Sequence, residues 1–308
     1  MTCLDSSRPD RAALLASLGL VAASVGFGLL PYFARSLTSG GMAPYAVVFF
    51  RYAATAVVFL PMLRVRRGLG GAALWGIASG VTLGLGWVGY VVAVEVVPVS
   101  IAGILYMTYP VFTLAIGWLF FADVPSRRAV SAALLILVAA AISAGPAAVS
   151  LGQAPALLLS LTAPLSFGFG INVLVHKLRP LPPVSRIALT SLGAILGLAP
   201  MMLATPAAAA LPVSARDWLL IAGLSMSTAL LPRFLYALCA PIVGTARTAA
   251  AGSVELPTMI LVGALAYGER IGPLEWAACG LIVAAVVLTP SKVTRNVSAS
   301  ITRPRREG

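Results

Sequence analysis

Gly117-Trp118-Leu119-Phe120-Phe121-Ala122-Asp123 and Gly263-Ala264-Leu265-Ala266-Tyr267-Gly268-Glu269 are one short text written twice: a glycine, an apolar run, a small residue and an acid. Other pairs fall in the same order. Val25-Gly26-Phe27-Gly28 answers to Phe167-Gly168-Phe169-Gly170, and Pro61-Met62 to Pro200-Met201. A chain that repeats itself over half its length is built from two copies of one unit. Both copies are almost wholly apolar, so the unit must be one that a bilayer accepts.

Composition fixes that class. Of the 308 residues 60% are hydrophobic and 10% charged, and the mean hydropathy is +0.99. Soluble domains carry about a quarter charged residues. Apolar runs of about 20 residues, the length of a helix that crosses a bilayer, recur along the chain. Backbone polar groups within lipid must be satisfied inside the segment, so these runs predict helices. The expected fold is therefore an all-α integral membrane protein with ten transmembrane helices at 12–34, 43–63, 72–94, 98–121, 129–148, 154–177, 184–204, 216–240, 243–267 and 273–290. Merging neighbours across the Pro/Ala-rich stretch 146–158 leaves nine. The units are 1–148 and 149–290, five helices each, followed by a basic tail at 291–308. Five is odd, so the second unit enters the membrane from the opposite side and the two form an inverted repeat.

The net charge of +12 invites a nucleic-acid reading, but its placement refuses one. Arg8 and Arg11, then Arg64, Arg66 and Arg67, then Arg127 and Arg128, then Lys177, Arg179 and Arg186, and finally the tail all fall on one side of a ten-span thread. The other side holds only Arg35, Arg216 and Arg270. That is the positive-inside pattern of a multi-pass protein of the cell inner (plasma) membrane with both termini in the cytoplasm. The expected partners are the lipid bilayer and a small-molecule substrate, with no nucleic acid and with the chain acting as a monomer or homodimer. Cys3, Cys239 and Cys279 have no metal or redox spacing. No Walker loop, HExxH pair or nucleophile elbow appears, so no cofactor is expected and neither ATP hydrolysis nor metal chemistry has support.

The stretch Val97 to Ile142, with Pro110-Val111-Phe112-Thr113 followed by Gly117 to Asp123, resembles the EamA-type repeat of the drug/metabolite transporter superfamily. A second copy runs from Val243 to Leu288, with Glu255, Pro257 and Gly268-Glu269-Arg270. The chain departs from the family pattern where Tyr109 stands at the usual acidic position and where Leu256 separates Glu255 from Pro257. The resemblance implies a ten-helix exporter or exchanger of small metabolites with a central cavity between the halves.

Ionisable residues within the bilayer are few, and each is a functional candidate. Glu255 lies about 16 Å into its run at 1.5 Å per residue, where it can carry a proton, bind an ammonium group, or pair with Arg247 or Arg233. Arg51 offers a fork that fits a carboxylate, or it pairs with Glu95 or snorkels outward. Arg233 sits deep beside Pro232. Among uncharged residues, Tyr106, Tyr109 and Thr113 share a helical face near Pro110, Trp87 and Tyr90 share another, and Asn172 follows the repeated glycine notch. Rings with a few polar groups suit an amphipathic organic solute. His176 reads as a surface residue at a helix end. Gly76, Gly80 and Gly84 form a small-residue ridge that admits another backbone.

The expected activity is secondary transport, by alternating access, of a small metabolite such as an amino acid or related carboxylate. A multidrug or sugar-type substrate with purely structural charges stays open as the alternative. A membrane enzyme or a channel is remote, because no cluster of acids, histidines or serines gathers at one surface and no polar stripe runs along a helix.

Overall fold

A computed structural model describes residues 7–143, 151–243, 251–252 and 254–288. The tail 291–308, Cys3 and Arg247 lie outside the described residues. Every regular element among the described residues is helical. Seven helical runs are long and apolar enough to cross a membrane: Ala12–Thr38, Pro44–Met62, Gly70–Val96, Val99–Phe121, Ala154–His176, Pro183–Leu203 and Ala215–Tyr236. Arg127–Ser143, Glu255–Tyr267 and Pro273–Leu288 are shorter. Large apolar side chains such as Leu14, Val57, Phe120, Leu203 and Leu265 stand exposed around the outside, as a bundle solvated by lipid requires.

In chain order the helices are α1 (Ser7–Gly28), α2 (Leu30–Thr38), α3 (Pro44–Phe59), α4 (Gly70–Val96), α5 (Val99–Tyr106), α6 (Tyr109–Phe121), α7 (Arg127–Ser143), α8 (Ala154–Ser160), α9 (Thr162–His176), α10 (Pro183–Leu203), α11 (Ala207–Ala210), α12 (Ala215–Ser225), α13 (Leu231–Val243), α14 (Glu255–Tyr267) and α15 (Pro273–Leu288). Helix α12 starts on a capping box, in which Ser214 Oγ accepts from the Asp217 N–H while the Asp217 carboxylate accepts from the Ser214 N–H.

Several runs expected to be continuous are broken. The run at 98–121 divides between α5 and α6 at Met107 and Thr108, and 12–34 divides between α1 and α2 at Leu29. Between α12 and α13 lies a π-type turn at Met226–Leu230. Proline accounts for the positions. Pro31, Pro110, Pro164 and Pro232 each stand second or third in the helix that follows a break. A proline has no N–H to give the carbonyl four residues back, so that carbonyl is released to other donors. Glu255 likewise opens α14 instead of lying inside a longer helix, with Pro257 two residues on.

The tightest seam joins α4 to α10. A methyl group added at Gly80 would strike the Thr190 carbonyl, and one at Gly193 the Ile77 carbonyl. The ridge of Gly76, Gly80 and Gly84 therefore lets two backbones touch, which is how helices associate where lipid removes the hydrophobic drive.

Candidate functional site

The broken ends point at one place. Phe27 closes α1, Tyr106 and Tyr109 flank the α5–α6 break, Arg233 and Tyr236 follow the π turn, and Glu255 opens α14; all line a cavity of about 490 Å³. Its remaining wall comes from Arg51 and Tyr52 on α3, from Ser79, Leu83 and Trp87 on α4, and from Phe167 on α9. The cavity continues along α9 and α10 to Arg186, whose Nη2 donates to the Arg179 carbonyl in the α9–α10 loop. It thus runs from mid-bundle to the end that carries this loop.

Arg51 is held by the chain break opposite. It is only 5% exposed. Its Nε donates to Thr228 Oγ1 at 3.0 Å and its Nη2 to the Thr228 carbonyl at 2.9 Å. That carbonyl lies four residues before Pro232, whose ring has no N–H for it. The guanidinium also lies 4.8 Å from the Trp87 ring centroid and 5.8 Å from that of Tyr52, a favourable cation–π arrangement. Its third nitrogen, Nη1, is buried without a partner. Arg51 therefore neither pairs with Glu95, which is exposed at the end of α4, nor snorkels. Arg233 sits on the same aromatic wall, 5.6 Å from the Tyr52 centroid.

Of the residues singled out from sequence, Arg51, Trp87, Tyr106, Tyr109, Arg233 and Glu255 meet in the cavity wall. Tyr90, Thr113 and Asn172 do not line it. Tyr90 is fully buried behind Trp87, with ring centroids 5.4 Å apart, and its hydroxyl reaches Met259 Sδ at 3.9 Å. Thr113 Oγ1 turns back to the Tyr109 carbonyl. Asn172 Nδ2 donates to the Thr113 and Gly168 carbonyls, both at 2.9 Å, and so ties α9 to α6. Tyr106 is the hub of the rings, 5.1 Å from Trp87, 5.7 Å from Tyr109 and 6.0 Å from Phe167. Sequence reasoning passed over Phe27, Tyr52, Ser79 and Phe167. The aromatics are lost among other apolar residues of their runs, and Ser79 has no neighbour in sequence to mark it.

The two repeated motifs end their helices alike, at opposite ends of the bundle. Glu269 accepts from the Val99 N–H at 2.8 Å and the Ser100 N–H at 3.3 Å, capping α5, and pairs with Arg35 Nη1 at 3.1 Å. Asp123 pairs with His176 Nε2 at 3.1 Å, and that ring stacks on Phe121 at 4.6 Å. His176 is thus a partnered residue of the helix end rather than a plain surface one.

Residues 14–145 match the model of the EamA-like transporter family, in line with the resemblance carried by Pro110 to Asp123. Together with the seven helical runs of membrane-crossing length, the match supports a multi-pass membrane protein. No curated protein matches the chain. One crystal structure superposes on 89% of this chain and 95% of its own, with a TM-score of 0.61 and 16% identity; at that identity the likeness is one of fold.

Proposed function

We propose that this chain, whose residues 14–145 carry the EamA-like transporter pattern, is a secondary transporter of small carboxylate-bearing metabolites, amino acids among them, and not an enzyme. In this reading the seven full-length runs and three shorter helices are the ten spans of two units, 1–148 and 149–290, with 291–308 as the basic tail. The units form an inverted repeat whose rocking exposes the cavity to each side in turn. The positive-inside bias sets both termini in the cytoplasm and the protein in the inner membrane, and the direction of transport is export.

One observation carries the reading. Arg51 is buried in the wall of the cavity with a guanidinium nitrogen left unpaired, and Glu255 lines the same space. A desolvated donor without an acceptor is costly, and a carboxylate matches the geometry of a guanidinium. Glu255 then meets the amine of an amino acid or carries a coupling proton. The aromatic walls bury the apolar part of the solute.

The test is uptake of labelled amino acids and carboxylates into proteoliposomes with and without an imposed pH gradient. Wild type is expected to accumulate at least one of them, with loss of at least tenfold in Arg51→Gln and loss of gradient dependence in Glu255→Gln. Full transport by a well-folded Arg51→Gln variant removes the carboxylate-binding role, and no uptake of any member of the panel rejects the substrate class.

A further inference from the structure

We infer that the cavity selects solutes of net negative charge, with acidic amino acids and dicarboxylates as the class, over zwitterions and neutral solutes. This rests on the transport reading above and sharpens its substrate. The charged residues of the described lining are Arg51, Arg186 and Arg233 against Glu255 alone. Among the described residues, neither Arg51 nor Arg233 has a carboxylate within ion-pair distance. Both guanidinium groups lie against the one Tyr52 ring, at 5.8 Å and 5.6 Å from its centroid. They are therefore no farther apart than the sum of those distances, and Glu255 is the one acid of the described lining that faces the same space.

Like charges held close together in a buried wall repel, and each wants a counter-charge. Arg51 has used two of its nitrogens on Thr228, and the third is buried and unpartnered. An aromatic face supplies part of the compensation but accepts no hydrogen bond of carboxylate strength. A zwitterion brings no net charge and leaves the cationic surplus as it found it. A solute with two carboxylates answers Arg51 and Arg233 together, and an amine between them answers Glu255. Arg186, at the loop end of the cavity, draws the same sign of solute inward.

Glutamate and glutamine make the discriminating pair, since they match in size and differ by one charge. Competition against labelled glutamate uptake is measured in proteoliposomes for wild type, Arg233→Gln and Arg233→Lys, each checked for folding by its thermal transition in detergent. The expected result is a preference of at least tenfold for glutamate and succinate over glutamine and leucine, lost in Arg233→Gln and kept in Arg233→Lys. Equal transport of glutamine and glutamate, or an unchanged preference in Arg233→Gln, overturns this inference and leaves a transporter of ordinary amino acids. Failure of wild type to transport any of the four overturns it together with the transport reading on which it rests.

Discussion

The ends of α14 and α6 are the same device in two settings. Each helix stops with a residue in the left-handed region, Gly268 at φ 65° and Ala122 at φ 56°. Each closes with the N–H of the following acid on a carbonyl six residues back, Glu269 to Gly263 at 3.1 Å and Asp123 to Gly117 at 3.0 Å. Beyond that the settings part. Glu269 is 13% exposed and binds α5 and Arg35 at once, whereas Asp123 is 62% exposed and has His176 as its ion-pair partner. At the Glu269 end the chain is tied further, because Tyr267 Oη donates to the Tyr32 carbonyl and Arg35 lies 4.4 Å over the Tyr267 ring. The Asp123 end is the one toward which the cavity runs. Two matching sequence motifs thus end their helices alike, and tertiary packing ties the Glu269 end, the shut one, more than the Asp123 end.

Breaking these ends one at a time exposes the difference. Glu269→Ala strips two N–H groups and a guanidinium of their acceptor, and the expected loss is about 3 kcal/mol. Asp123→Ala removes an exposed pair and is expected to lose less than about 1 kcal/mol. Thermal unfolding of the purified protein in detergent measures both, and equal losses would mean that the two ends are packed alike. The smallest effect lies in the caps themselves. Gly268→Ala puts a side chain where φ is positive and should lose about 1 kcal/mol, while Ala122→Gly relieves that strain and should gain about 0.5 kcal/mol. The same melts read these shifts, and a loss on Ala122→Gly would remove the strain argument.

The apolar class and the α4 glycine ridge were legible because apolar runs and glycines recur in the sequence at helical lengths and spacings. Composition alone excluded a soluble fold, and Gly76, Gly80 and Gly84 announced a close approach before α10 was in view. The breaks were not legible as breaks. Proline within an apolar run marks only where a hydrogen bond is missing, and whether the helix bends or stops depends on what takes the freed carbonyl. At Thr228 that taker is Arg51, 177 residues away in the chain. Arg51 for its part read as a candidate for Glu95 because the two fall near each other on a straight thread of helices. Thr113 looked like a ligand because it shares a helical face with Tyr106 and Tyr109, and Asn172 because it follows the repeated glycine notch, yet Asn172 spends its amide on the Thr113 carbonyl. Tyr52 and Phe167 had no such mark, since an aromatic residue in an apolar run looks the same whether it faces lipid or a cavity.

The central claim is that the shut end opens during transport. Ser36 Oγ and Tyr267 Oη stand 3.5 Å apart across it, and neither is part of the Arg35–Glu269 pair. In a background free of other cysteines, Ser36→Cys with Tyr267→Cys would be bridged by a short bis-maleimide, and solute uptake into proteoliposomes measured before and after. The account predicts that the unbridged variant transports and that bridging stops it, while either single cysteine variant is indifferent to the reagent. Undiminished transport by the fully bridged protein would show that this end never opens, and would contradict alternating access.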